Sequence, residues 1–110
     1  MGVFKEMDIE IQNWDRFVYW QDPGHGWVEV PIKLLSELGI VENISSYSYL
    51  KRRGRAAYLE EDCDAGVFMT AYADKYGKQP KFMEQYIEDG SRIRTLPNYD
   101  SALVSEWREV

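Results

Sequence analysis

The chain has 110 residues, of which 45% are hydrophobic, 29% charged and 15% aromatic, the composition of one folded domain spanning residues 1–110. No apolar run approaches the ~18 residues of a membrane span, and the start, Met1–Gln12, carries acids early and lacks an apolar segment, so neither a membrane helix nor a signal peptide is expected. Nineteen acids against 13 lysines and arginines give a net charge of −6, which repels nucleic acid and anionic membrane and either attracts a basic protein surface or simply keeps the chain in solution.

Residues 3–11 alternate, with Met7, Ile9 and Ile11 opposite Asp8 and Glu10, the period of a half-buried strand. Trp14 to Gln21 is aromatic and β-branched enough for a second strand. Asp22-Pro23-Gly24-His25-Gly26 reads as a turn, since proline presets one dihedral and glycine accepts positive φ. Trp27 to Val30 then returns as the partner strand of a hairpin. Pro31 suits the first position of a helix. Ile32, Leu34, Leu35 and Leu38 follow at spacings of three and four, and Gly39 is placed to end the helix. Ile40, Val41 and Ile44 continue the apolar contact through a turn.

From Ser45 the alternation resumes, with Tyr47 and Tyr49 on one face and Ser46, Ser48 and Leu50 on the other. Residues 51–54 (Lys-Arg-Arg-Gly) form a hairpin turn leading into a strand from Arg55 to Glu60. Asp62 or Asp64 is expected to cap a second helix whose stripe is Val67, Phe68, Ala71 and Tyr72, closed by Gly77. Pro80 to Ile87 is a further strand. Asp89-Gly90 is a hairpin signal, with Arg92 to Leu96 returning. Ser101 to Val110 reads either as a short amphipathic helix or as a tail. The order β-β-β-α-β-β-α-β-β, with an optional last helix, is that of an α+β domain: a mainly antiparallel sheet with two main helices on one face.

Three segments taken together carry a resemblance: Asp22 to Pro31, then Leu38-Gly39-Ile40 with Ile44 to Tyr49, then Tyr58-Leu59-Glu60-Glu61-Asp62-Cys63-Asp64-Ala65. In that order they resemble a family of small uncharacterised proteins of bacteriophages, plasmids and related elements, over about residues 17–100. The resemblance implies a mobile element in a bacterial cytoplasm. By analogy of setting it implies a protein that binds and inhibits or modulates a host protein, including restriction or CRISPR-type defence machinery. It implies no reaction.

The candidate binding residues are Glu60, Glu61, Asp62 and Asp64, an acidic edge for a basic host surface. The same acids also fit a helix cap or a hard-cation site. Cys63 between them reads as a structural thiol, because its acidic neighbours oppose the thiolate. It is the only cysteine, so no internal disulfide forms, and a reducing cytoplasm is the expected location. One cysteine and one histidine do not make a structural zinc site, and no cofactor or metal is expected.

His25, the only histidine, sits at a turn. With Asp62 or Asp64 it supplies the first alternative, a small hydrolase or metal-dependent enzyme. Lys51, Arg52, Arg53 and Arg55 beside Tyr47 and Tyr49 have the composition of a single-strand platform and supply the second, a nucleic-acid-binding regulator. Trp27 is a further candidate, because tryptophan and tyrosine are enriched at binding hot spots. Neither a phosphate loop nor a Gly-x-Ser-x-Gly nucleophile elbow is present.

Overall fold

The computed structural model describes residues 15–53 and 55–108. In chain order the elements are β1 (Arg16–Gln21), β2 (Gly26–Pro31), α1 (Ile32–Glu37), a 3-10 turn (Val41–Asn43), β3 (Tyr49–Lys51), β4 (Ala56–Glu60), α2 (Asp64–Tyr76), β5 (Lys81–Tyr86), α3 (Ser91–Arg94) and α4 (Ser101–Arg108). The strands form one five-stranded sheet in the order β3-β4-β2-β1-β5. The α+β reading therefore holds. The predicted strand at 3–11 lies outside the described residues.

β1 and β2 pair antiparallel, Val18 opposite Glu29 and Gln21 opposite Gly26. β2 and β4 pair antiparallel with Val28 opposite Leu59, and β3 joins β4 through Leu50 opposite Ala57. β5 departs from the hairpin expectation. It runs parallel to β1, Phe17 opposite Phe82, because α2 carries the chain back across the sheet before β5 begins.

Side chains alternate across a strand, so the pairing sorts them onto two faces. On one lie Phe17, Val28, Val30, Leu50, Ala57 and Leu59, packed with Leu34, Leu35, Phe68, Tyr72 and Val104 of the helices. Phe17 meets Phe68 edge-to-face at 5.1 Å between ring centres, an arrangement the aromatic quadrupole favours. On the other face Trp27 and Tyr58 pack with Ile93 of α3, joined by Trp20, Tyr49, Ile87 and Leu96. Over the central strands both faces are thus covered, by α1, α2 and α4 on one and by a strap of residues 87–96 on the other, while the edge strand β5 is exposed except at Phe82.

That strap corrects the predicted hairpin at Asp89-Gly90. Residues 92–96 are not a strand, because the Gly90 carbonyl accepts from the N–H groups of Ile93 and Arg94 at 3.0 and 3.1 Å and starts a single helical turn. Gly90 lies so close to the β1–β2 turn that a Cβ there would collide with the Asp22 carboxylate and come within 2.9 Å of the Trp27 ring.

Two helix ends follow the reading and two starts do not. Gly39 and Gly77 take φ of +70° and +71°, the left-handed stop expected of C-terminal glycine. Pro31, however, is the last residue of β2, opposite Ala56, and precedes α1 rather than opening it. Cys63, not Asp62 or Asp64, holds the cap position of α2, with no side-chain cap bond. The chain end from Ser101 to Arg108 is helix.

Candidate functional site

The turn from β4 into α2 lies at one end of the sheet, beside the start of β2 and the β1–β2 turn, and it is where the sequence concentrates its acids. Their fates differ. Asp64 is only 1% exposed. Its carboxylate accepts from the Ser45 N–H at 3.0 Å, the Ser45 hydroxyl at 2.7 Å and the Ser48 hydroxyl at 2.5 Å. Ser48 Oγ in turn accepts from the Glu60 N–H at 2.9 Å. Asp64 therefore holds the 45–48 loop against the head of α2. It is not part of an outward acidic edge, since burying a carboxylate demands that its lone pairs be met internally.

Glu61 accepts a hydrogen bond from the Tyr19 hydroxyl. Burial of the Tyr19 hydroxyl, then this bond, then the charges of Glu61, Glu84 and Asp62, push its pKa up to about 12. Glu60 accepts from the Asp62 N–H at 3.1 Å, which curls the turn.

Glu60 and Asp62 line a cleft of about 420 Å³ on the strap face of the sheet. Its other walls are His25, Trp27, Tyr47, Tyr49, Cys63 and Arg94. Eight residues spread from position 25 to position 94 are brought together by the pairing of β2 with β4 and by the strap. Trp27 forms the floor at 1% exposure, and Tyr47 stands at the mouth at 72%.

Arg94, absent from the sequence-predicted set, organises one wall. Its guanidinium donates to Asp22 Oδ2 at 2.7 Å and to His25 Nδ1 at 3.3 Å, and it lies 5.7 Å from the centre of the Trp27 ring. His25 stacks on the same indole at 5.9 Å. The only foreshadowing of Arg94 in the sequence is Asp22, an acid heading an Asp-Pro-Gly turn. Asp22 Oδ1 accepts from the N–H groups of Gly24 and His25 at 2.9 and 2.7 Å, which leaves Oδ2 for a cation.

His25 Nδ1 is thus engaged by the Arg94 guanidinium, and Asp22 Oδ1 lies 3.9 Å from the same nitrogen. Of the residues proposed to work with it, Asp64 faces the other way into the Ser45–Ser48 network. Asp62 and Cys63 share the cleft with His25. Among the described residues no three His, Cys, Asp or Glu side chains are gathered to hold a metal ion.

The basic hairpin is elsewhere. Lys51, Arg52, Arg53 and Arg55 flank the β3–β4 turn, at the start of β4, whereas the acids follow its end. Lys51 pairs with Glu29 at 3.5 Å. Tyr47 and Tyr49, expected beside the arginines, line the cleft instead.

No family model, curated protein or solved structure matches this chain. Among the described residues no helix is long and apolar enough to cross a membrane.

The charge balance of the cleft is informative. Arg94 is neutralised by Asp22. Among the described residues neither Glu60 nor Asp62 has a cationic partner. The cleft therefore presents excess negative charge beside the exposed ring of Tyr47 and the half-buried ring of Tyr49. Both favour a cation, the carboxylates through charge and the rings through their quadrupole.

Proposed function

We propose that this chain is a binding protein that acts without chemistry, inhibiting or modulating a host protein by docking on one of its basic segments. The observation that carries the reading is the cleft in which Glu60 and Asp62, without cationic partners, stand beside Tyr47 and Tyr49. A lysine or arginine side chain entering it meets carboxylates and ring faces together. Tyr47 supplies the exposed aromatic anchor typical of binding hot spots. In the mobile-element setting that the sequence resemblance implies, the partner is a component of the host cell, with restriction or CRISPR-type defence proteins as the first to examine.

The relevant acids are Glu60 and Asp62. Asp64 is a structural residue and is left intact in the binding test. Capture of host proteins from a bacterial lysate by the wild-type chain, repeated with Glu60→Gln/Asp62→Asn, tests the reading. Loss of basic proteins from the captured set is expected. An unchanged set would overturn it.

One observation favours a second reading, a small hydrolase: His25, Asp62 and Cys63 line the same cleft. The setting of His25 stands against it, since its Nδ1 is engaged by the Arg94 guanidinium and Asp64 is turned into the Ser45–Ser48 network.

A further inference from the structure

The end of the sheet that carries the acidic cleft also opens into a second cavity, on the helix face. This one has a volume of about 310 Å³ and apolar walls from Val28, Ala65, Met69 and Phe82, with Tyr19, Glu61 and Asp62 completing it. Val28, Tyr19 and Phe82 belong to the face that packs against the helices, whereas Trp27 and Tyr49 of the first cleft belong to the strap face. The two cavities therefore lie on opposite sides of the sheet. Asp62 lines both, so they meet over the β4–α2 turn.

The ridge between them is built firmly. Gly26 opens β2 directly beneath it, and a Cβ at that position would come within 2.6 Å of the Tyr19 hydroxyl and 2.7 Å of Glu61 Oε2. The Glu61 N–H donates to the Gly26 carbonyl at 3.0 Å. The Tyr19–Glu61 hydrogen bond then ties the ridge to β1.

We propose that the partner segment is an extended polypeptide that crosses this ridge. It places a basic side chain in the acidic aromatic cleft and a large apolar side chain in the cavity walled by Val28, Ala65, Met69 and Phe82. The inference rests on the docking reading above and deepens it. One cavity is complementary to a cation by charge, and the other offers carbon surface and an adaptable methionine to an aliphatic or aromatic group. Because Asp62 belongs to both, one ligand reaches both without leaving the protein. Both anchors must face the protein, and in an extended chain only alternate side chains share a face, about 6.6 Å apart, so the two anchors stand two residues apart.

The test uses the full chain with labelled methionine methyl groups and observes the Met69 methyl and the Trp27 indole by NMR. Three acetylated peptide amides serve as probes: one with an arginine and a leucine separated by one glycine, one with the leucine replaced by glycine, and one with the arginine replaced by glycine. The two-anchor peptide is expected to move both signals and to bind about tenfold more tightly than the arginine-only peptide, the gain from covering part of a leucine side chain. Equal affinity of those two peptides with an unmoved Met69 methyl would overturn the second anchor while leaving basic docking intact. A Trp27 indole that no arginine peptide moves would overturn basic docking itself. Met69 shifts that follow protein concentration without any peptide would assign the cavity to a second copy of the chain, and would also overturn the proposal.

Discussion

The Arg94 guanidinium reaches Asp22 Oδ2 at 2.7 Å across 72 positions of chain, and the Asp22 side chain it meets is only 3% exposed. This pair fastens the 87–96 strap to the β1–β2 turn and gives the cleft one of its walls. Gly90 sits under the same carboxylate, so the strap closes only because that residue lacks a side chain. Replacing Gly90 with Ala should cost roughly 1–3 kcal/mol of stability, the usual range for overpacking a filled site. Chemical denaturation measures it, and an unchanged midpoint would contradict the close approach.

The same carboxylate predicts an acid dependence. Burial pushes the Asp22 pKa up, but hydrogen bonds from the Gly24 N–H, the Arg94 guanidinium and the His25 N–H outweigh it and hold the pKa below its usual value. A carboxyl group with a lowered folded-state pKa stabilises the fold above its unfolded pKa, near 4. That contribution is lost as pH falls from there through the folded value. Asp22→Asn should therefore be less stable than wild type at neutral pH and should decline less steeply below about pH 4. Parallel stability curves for the two proteins would contradict this.

Tyr19 predicts the opposite end of the scale. Its pKa is pushed up to about 12, above an unfolded value near 10. A raised folded-state pKa contributes stability below the unfolded value that disappears as pH rises through the folded one. Wild-type stability should therefore fall between pH 10 and about 12, and Tyr19→Phe should remove that part of the fall. Burial also raises the pKa values of Tyr58 and Tyr72, so ultraviolet titration should show one fewer late-ionising tyrosine in the variant than in wild type.

Asp62 and Asp64 are two residues apart and should behave as different kinds of residue. Asp64→Ala leaves the Ser45 N–H and the Ser45 and Ser48 hydroxyls without their acceptor. At about 1–3 kcal/mol for an orphaned buried group, and with some donors turning to water, a loss of about 2–4 kcal/mol is expected. Asp62→Ala changes an exposed side chain and should stay within about 0.5 kcal/mol. Equal losses measured by urea denaturation would contradict the division of the acidic cluster into a structural and a binding part.

Much of the fold was legible because it follows local periodicity. The spacing of Ile32, Leu34 and Leu35, the glycine stops at Gly39 and Gly77, and the turn at residues 51–54 that leads into the strand ending at Glu60 each name an element without reference to the rest of the chain. What local pattern does not encode is which strand lies beside which. Phe82 reads as a strand residue, yet nothing near it says that Phe17 is its neighbour or that the two strands run parallel. Asp89-Gly90 misleads for a related reason. Gly90 serves a close approach to Asp22 and Trp27 instead of a hairpin turn, and the two uses look identical in sequence.

The site was legible as a set of residue types but not as a constellation. Glu60, Asp62, His25, Trp27, Tyr47 and Tyr49 were all candidates, and the β2–β4 pairing unites them in one cleft. Asp64 carried the same signal as Asp62 but turns inward, because Ser45 and Ser48 offer donors whose proximity only the fold reveals. Arg94 was missed because its role depends on Asp22, far away along the chain.

The docking account is tested most directly by titrating a short arginine-containing peptide into the wild-type chain and into Glu60→Gln/Asp62→Asn, at low and at physiological ionic strength. We predict that the wild-type chain binds the peptide and that the double variant binds it about tenfold more weakly, as expected for two partly exposed charges. We also predict that added salt narrows the gap between them. Equal affinity of the two proteins at low salt would contradict a cleft that selects its partner by charge.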